Sequence, residues 1–133
     1  MTNQRLNALL SEQAARLAEY EAAQEADLAA KLALWSAESG KEEAELQSRV
    51  HWRVRLAATE PKLTVDATKD RLALALWEDT LVAVAVGAWE KARVESESAS
   101  RTLSIARQRL YAVARAIEAV SATEGNARFY RRD

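Results

Sequence analysis

The stretch Ala57-Ala58-Thr59-Glu60-Pro61-Lys62-Leu63-Thr64-Val65-Asp66 decides how the chain is divided. Proline cannot continue a helix, and it pushes the residue before it out of the α region, so one helix ends just ahead of Pro61. Beyond it, Thr64 or Asp66 can accept hydrogen bonds from the free amides of a new first turn, and Asp70 is favoured near the positive end of that helix's dipole. The reading is two long helices, about 4–58 and about 65–121, on either side of one connector.

Working outward, the composition agrees. Among 133 residues there are three glycines, one proline and an apolar fraction of 49%, which favours an ordered all-α chain over a disordered one. In the second helix Leu103, Ala106, Leu110, Val113, Ile117 and Val120 follow at alternating steps of three and four. The same register runs back through Ala99, Ser96, Ala92, Trp89, Ala85 and Val82, so the seam survives the serine-rich stretch at 95–100 and predicts one continuous helix. Glu78 falls on this register as well.

The first helix carries a less regular stripe of Leu6, Leu10, Leu17, Leu28, Trp35, Leu46, Val50 and Ala57. Gly40 within it predicts a kink or short break, and Gly87 in the second helix predicts a close helix crossing. The run Leu81–Trp89 has the valine alternation of a buried strand, but the sequence offers no second strand to pair with it. As a helix it is apolar on all sides and must be covered on all sides, which a simple hairpin about 80 Å long cannot do. The expected architecture is therefore a long antiparallel helical hairpin, or coiled coil, assembling into a homo-oligomer, with Val82, Trp89, Leu103, Leu110 and Ile117 as core or assembly positions. Folding back at Gly40 into a compact bundle is the competing arrangement. Residues 1–123 form one helical domain in this reading, and 124–133, after a break at Gly125-Asn126, a basic-aromatic tail with Arg128, Phe129, Tyr130, Arg131 and Arg132.

Several function classes are disfavoured by what the chain contains. It has no cysteine, which rules out disulfides and thiolate metal sites and suits a cytoplasmic protein. The start MTNQRLNALL does not resemble a secretory signal, and the longest uncharged run, Thr80–Trp89, spans about 15 Å as a helix, half of what a bilayer requires. His51 has no second imidazole to work with, no glycine-rich phosphate loop is present, and carboxylates such as Glu42, Glu43, Glu45, Glu78 and Asp79 lack histidine partners at metal-binding spacing. No catalysis, cofactor or metal is expected.

Charge is more informative. The net charge is −1, yet residues 1–45 hold nine acids against four bases and residues 46–133 fifteen bases against eleven acids. Such asymmetry implies pairing between the two parts or a polyanion site on the basic one. In Arg49-Val50-His51-Trp52-Arg53-Val54-Arg55, Arg49 and Arg53 share one helix face with Trp52 between the cations, a pattern suited to neutralising phosphates and stacking bases. Burial of Trp52, with the arginines paired to acids of another helix, is the structural alternative. A second stripe of Arg101, Ser104, Gln108, Tyr111 and Arg115 lies opposite the seam and faces either solvent or a sugar-phosphate backbone.

The layout resembles that of small bacteriophage recombination mediators of the UvsY type. The resemblance covers roughly residues 20–115: Trp35 in the middle of a long first helix, "RVHWRVRLAA" ending it, a short connector before "LTVDATKDRLALALW", and "SASRTLSIARQRL" in the second helix. It implies an all-helical, oligomeric, single-stranded-DNA-binding accessory of a recombinase or annealing protein, with Arg53 and Arg55 contacting DNA. The chain departs from that pattern in being slightly acidic and poor in lysine. The expected nucleic-acid contacts are Arg49, Trp52, Arg53, Arg55, Arg101, Gln108, Tyr111 and Arg115. The competing class is a phage structural protein, scaffold or assembly chaperone acting through helical protein contacts alone.

Overall fold

The computed structural model describes the backbone of residues 2–130 and the side chains of residues 4–123. It is all-α: α1 (Thr2–Thr59), α2 (Val65–Glu78) and α3 (Thr80–Tyr130), with no strand among the described residues. The valine-rich run is helical throughout. The connector follows the sequence closely. Thr59 donates its hydroxyl to the Arg55 carbonyl at 2.9 Å as α1 ends, and Thr64 caps α2 in an extended conformation, its hydroxyl accepting from the Ala67 amide at 3.2 Å. Arg71 pairs with Glu60 across the turn at 3.0 Å.

Four expectations are corrected. The single second helix is two, broken at Asp79, where the axes of α2 and α3 meet at 64°. α3 runs through Gly125-Asn126 to Tyr130 without a break. Of the two alternatives at Gly40, the break is excluded, because α1 is one continuous helix. A Cβ built on Gly87 or on Gly40 meets nothing within 4 Å, so neither glycine marks a close crossing within the chain. The tail side chains and residues 131–133 lie outside the described residues.

The fourth correction concerns α1. Its buried and half-buried positions include a run at alternating steps of three and four, Leu6, Leu9, Gln13, Arg16, Tyr20, Ala23, Asp27, Ala30, Leu34, Ala37, Lys41, Ala44 and Ser48. Of the apolar stripe read from the sequence only Leu6 falls on this seam; Ala57 is exposed, and Leu10, Leu17, Leu28, Trp35, Leu46 and Val50, on a different face, are between 45% and 68% exposed. Leu10, Leu28 and Leu46 recur every 18 residues, five whole turns of a straight helix, whereas the buried seam keeps a seven-residue repeat.

The chain forms two compact units. One comprises the residues up to Ala29 with those from Glu97 onward; the other is Ala30–Ser96. In the first, Ala23, Ala106, Val113 and Val120 are buried, Ser100 donates to the buried Asp27 at 2.8 Å, and Arg109 reaches Glu19 at 2.9 Å. Leu103, Leu110 and Ile117 are half-buried there. In the second, Leu72, Val82 and Ala92 are buried with Ser48 and Ser96, and the half-buried Trp89 donates to Glu38 at 3.4 Å beneath the Lys41 ammonium, which lies 4.2 Å from the ring centroid. In each unit the paired residues run in opposite chain directions.

Candidate functional site

The chemistry-bearing side chains of the Ala30–Ser96 unit gather where α2 gives way to α3. Asp79 makes the break. Its amide still donates to the Leu76 carbonyl at 3.3 Å, closing α2, while its carbonyl accepts from Ala83 at 3.0 Å, opening α3. Between these two roles its backbone is extended, and Oδ1 accepts from the Leu81 amide at 2.9 Å, the geometry of a helix N-cap. From α1, the buried Ser48 donates its hydroxyl to Oδ2 at 2.5 Å. That hydroxyl is the main influence holding the Asp79 carboxyl below the usual carboxylate range; partial burial opposes it, and the amides of Leu81 and Val82 add to it. The buried Trp52 indole N–H faces the same carboxylate and adds the weakest pull, without reaching a well-formed hydrogen bond. Glu78, the residue expected on the seam, is exposed; Asp79 occupies the seam instead.

A cleft of about 860 Å³ opens beside the break, lined by Gly40, Glu43, Gln47, Ser48, His51, Trp52, Glu78, Asp79 and Leu81, among others. His51 meets the Trp52 ring edge-on at 5.5 Å, and the Arg55 guanidinium lies 5.1 Å from the centroid of the same ring. Trp52 is thus a half-buried wall with a cation against it, and it does not project freely for stacking. The wall and the carboxylates leave the cleft acidic.

The arginines before and after Trp52 face elsewhere. Arg49 and Arg53, four residues apart on α1, line a shallow depression of about 250 Å³ together with Lys69, Leu72, Ala73 and Leu76 of α2. Three cations and three apolar side chains form its wall, with no carboxylate. Arg49, Arg53 and Arg55 are exposed and carry no ion pair to a described residue. The charge asymmetry of the sequence is therefore not consumed at these positions by internal pairing, although Arg109 and Arg71 are so used. Lys69 was not foreseen. Its signal was its place on the first turns of the helix after the connector, which a hairpin brings back beside the end of the preceding helix.

The second basic stripe belongs to the other unit. Arg101, Ser104, Gln108, Tyr111 and Arg115 are all exposed on α3, Tyr111 at 55%. Beside them Glu19 is held below the usual carboxylate range, first by Arg16 and then by Arg109, with burial opposing. Among the described residues no three of His, Asp or Glu are grouped to hold a metal ion. No single helix is long and apolar enough to cross a membrane; only α2 and α3 taken together across their bend meet that length and composition.

No protein family, curated protein or solved structure shows significant similarity to this chain.

Proposed function

We propose that the protein is a homo-oligomeric helical hairpin that binds single-stranded DNA without catalysis, organising the strand for a recombinase or annealing protein of a phage-encoded system. The observation that carries this reading is the carboxylate-free depression where Arg49 and Arg53 of α1 meet Lys69 of α2. Three cations with no ion pair to a described residue, set around a depression of about 250 Å³ with room for a phosphate and part of its sugar, neutralise a backbone, and the apolar side chains between them lower the local dielectric. Arg55 on Trp52 extends the basic surface, and the exposed Arg101, Gln108, Tyr111 and Arg115 offer a second one with an aromatic platform.

The test is binding of a labelled oligothymidine, followed by fluorescence anisotropy across a salt series. Three phosphate contacts give a slope of log affinity against log salt of about −2, or roughly a 20-fold loss between about 50 and about 200 mM. Arg49→Glu with Arg53→Glu should abolish binding at unchanged helicity. Absence of binding at low ionic strength overturns the DNA reading.

A specific observation favours the second reading, a structural, scaffold or assembly-chaperone protein. Sixteen large apolar side chains are exposed among the described residues, against seven buried apolar residues, of which three are alanine. Surface of that character is covered by protein, and both readings require assembly.

A further inference from the structure

We infer that copies of this chain associate antiparallel through a second stripe on α2 and α3, centred on Leu81. This rests on the assembly in the proposed function and specifies its face. The seam of α2 and α3 keeps its three-and-four steps through the break, with Leu72, Asp79, Val82, Trp89 and Ala92 turned inward. The face beside it keeps the same steps and is uncovered: Leu74 is 56% exposed, Trp77 86%, Leu81 74% and Val84 67%. Trp77 is the most exposed large apolar side chain described. These four leave on the order of 500 Å² of apolar surface per copy, so a twofold pair removes on the order of 1,000 Å², enough for a specific interface.

The stripe is complementary to itself. It continues to Asp70 at one end and to Ala88 and Lys91 at the other, and both charged residues are exposed with no ion pair to a described residue. Run against a copy in the opposite direction about Leu81, Trp77 falls opposite Val84, Leu74 opposite Ala88, and Asp70 opposite Lys91. A twofold axis along the bisector of the 64° bend lays α2 of one copy on the start of α3 of the other. A parallel pairing would set each charge against its own kind. Asp70 and the exposed Glu78 beside the stripe also disfavour an anionic bilayer as its occupant.

Sedimentation velocity of the full chain over a concentration series tests this, with circular dichroism as the folding control. Trp77→Ala should weaken association about tenfold or more. Asp70→Lys and Lys91→Asp should each weaken it roughly three- to tenfold, and the double exchange should restore it, a recovery that misfolding cannot mimic. Failure of the double exchange to recover, or association unaltered by Trp77→Ala, overturns this stripe and leaves assembly by another face. A chain that stays monomeric at every concentration overturns the stripe and the assembly reading together, and Trp77-dependent binding of that monomer to phosphatidylglycerol vesicles would give the face to lipid.

Discussion

Replacing Gly87 by alanine, alone and together with Gly40→Ala, separates two accounts of the helices. Both glycines lie inside α-helices at negative φ, and a Cβ on either meets nothing within 4 Å. With no clash to offset it, each substitution keeps the full helix-propensity gain of about 0.8–1 kcal/mol, part of which is the lower entropy of the unfolded chain. The register that sets Glu38 against Trp89 and Ser48 against Asp79 brings the two glycines to the same level of the helix pair, but both are exposed and neither added Cβ meets a neighbour, so the pair should add to about 2 kcal/mol. For a chain of this length that corresponds to a rise in Tm of roughly 3–5 °C for each substitution. Urea and thermal unfolding followed by circular dichroism would measure it, with protein concentration fixed because association itself shifts the midpoint. A loss of about 1 kcal/mol or more for Gly87→Ala would refute the reasoning and restore the close crossing that the sequence suggested. A loss seen only at high protein concentration would place Gly87 against another copy.

Two further outcomes are expected. The Asp79 carboxyl is held below its usual range in the folded chain, so its contribution to stability is fully present above the ordinary carboxylate pKa, about 3.9, and is lost as pH falls through the folded value; the urea midpoint should fall in acid less steeply for Asp79→Asn and for Ser48→Ala than for the unaltered chain, and identical pH slopes would remove Ser48 as the cause. Ala106, 1% exposed on the seam, should tolerate enlargement poorly, with Ala106→Leu destabilising by about 1–3 kcal/mol, while Leu17→Ala on the exposed stripe should change the stability of dilute protein by no more than about 0.5 kcal/mol; urea unfolding compares the two.

The parts of the fold that were legible in the sequence are those where one physical preference acts alone. Pro61 can do only one thing to a helix, and the Thr64 cap follows from its hydroxyl. The seam of α3 was legible because each of its positions is small or apolar, so periodicity and burial coincide from Val82 to Val120. On α1 they diverge. Its inward face includes Gln13, Arg16, Asp27, Lys41 and Ser48, whose polar ends are met by partners or by the wet margin of a narrow interface, while Leu10, Leu17, Leu28, Leu32 and Leu46 lie on another side. A pattern search follows the leucines and so finds the wrong face. The break at Asp79 was masked for a related reason: the apolar run on both sides is periodic, and an aspartate inside it reads as one more polar position until a hydroxyl 31 residues away fixes it as a cap. The arginines of 49–55 were visible as a cluster, but the depression that Arg49 and Arg53 share with Lys69, apart from Arg55 on the Trp52 ring, depends on α2 folding back, which spacing on one helix cannot express.

The bond from Ser48 to Asp79 acts as an address as much as an attachment. Sliding α1 by one heptad against the later helices would set the buried Ser48 hydroxyl at the level of Leu72 or Val86 and strip the carboxylate of its strongest donor. Apolar partners tolerate such slippage because one oily layer is much like the next. A hydroxyl that must find a helix start has a single station, so these two atoms lock the ratchet at one tooth.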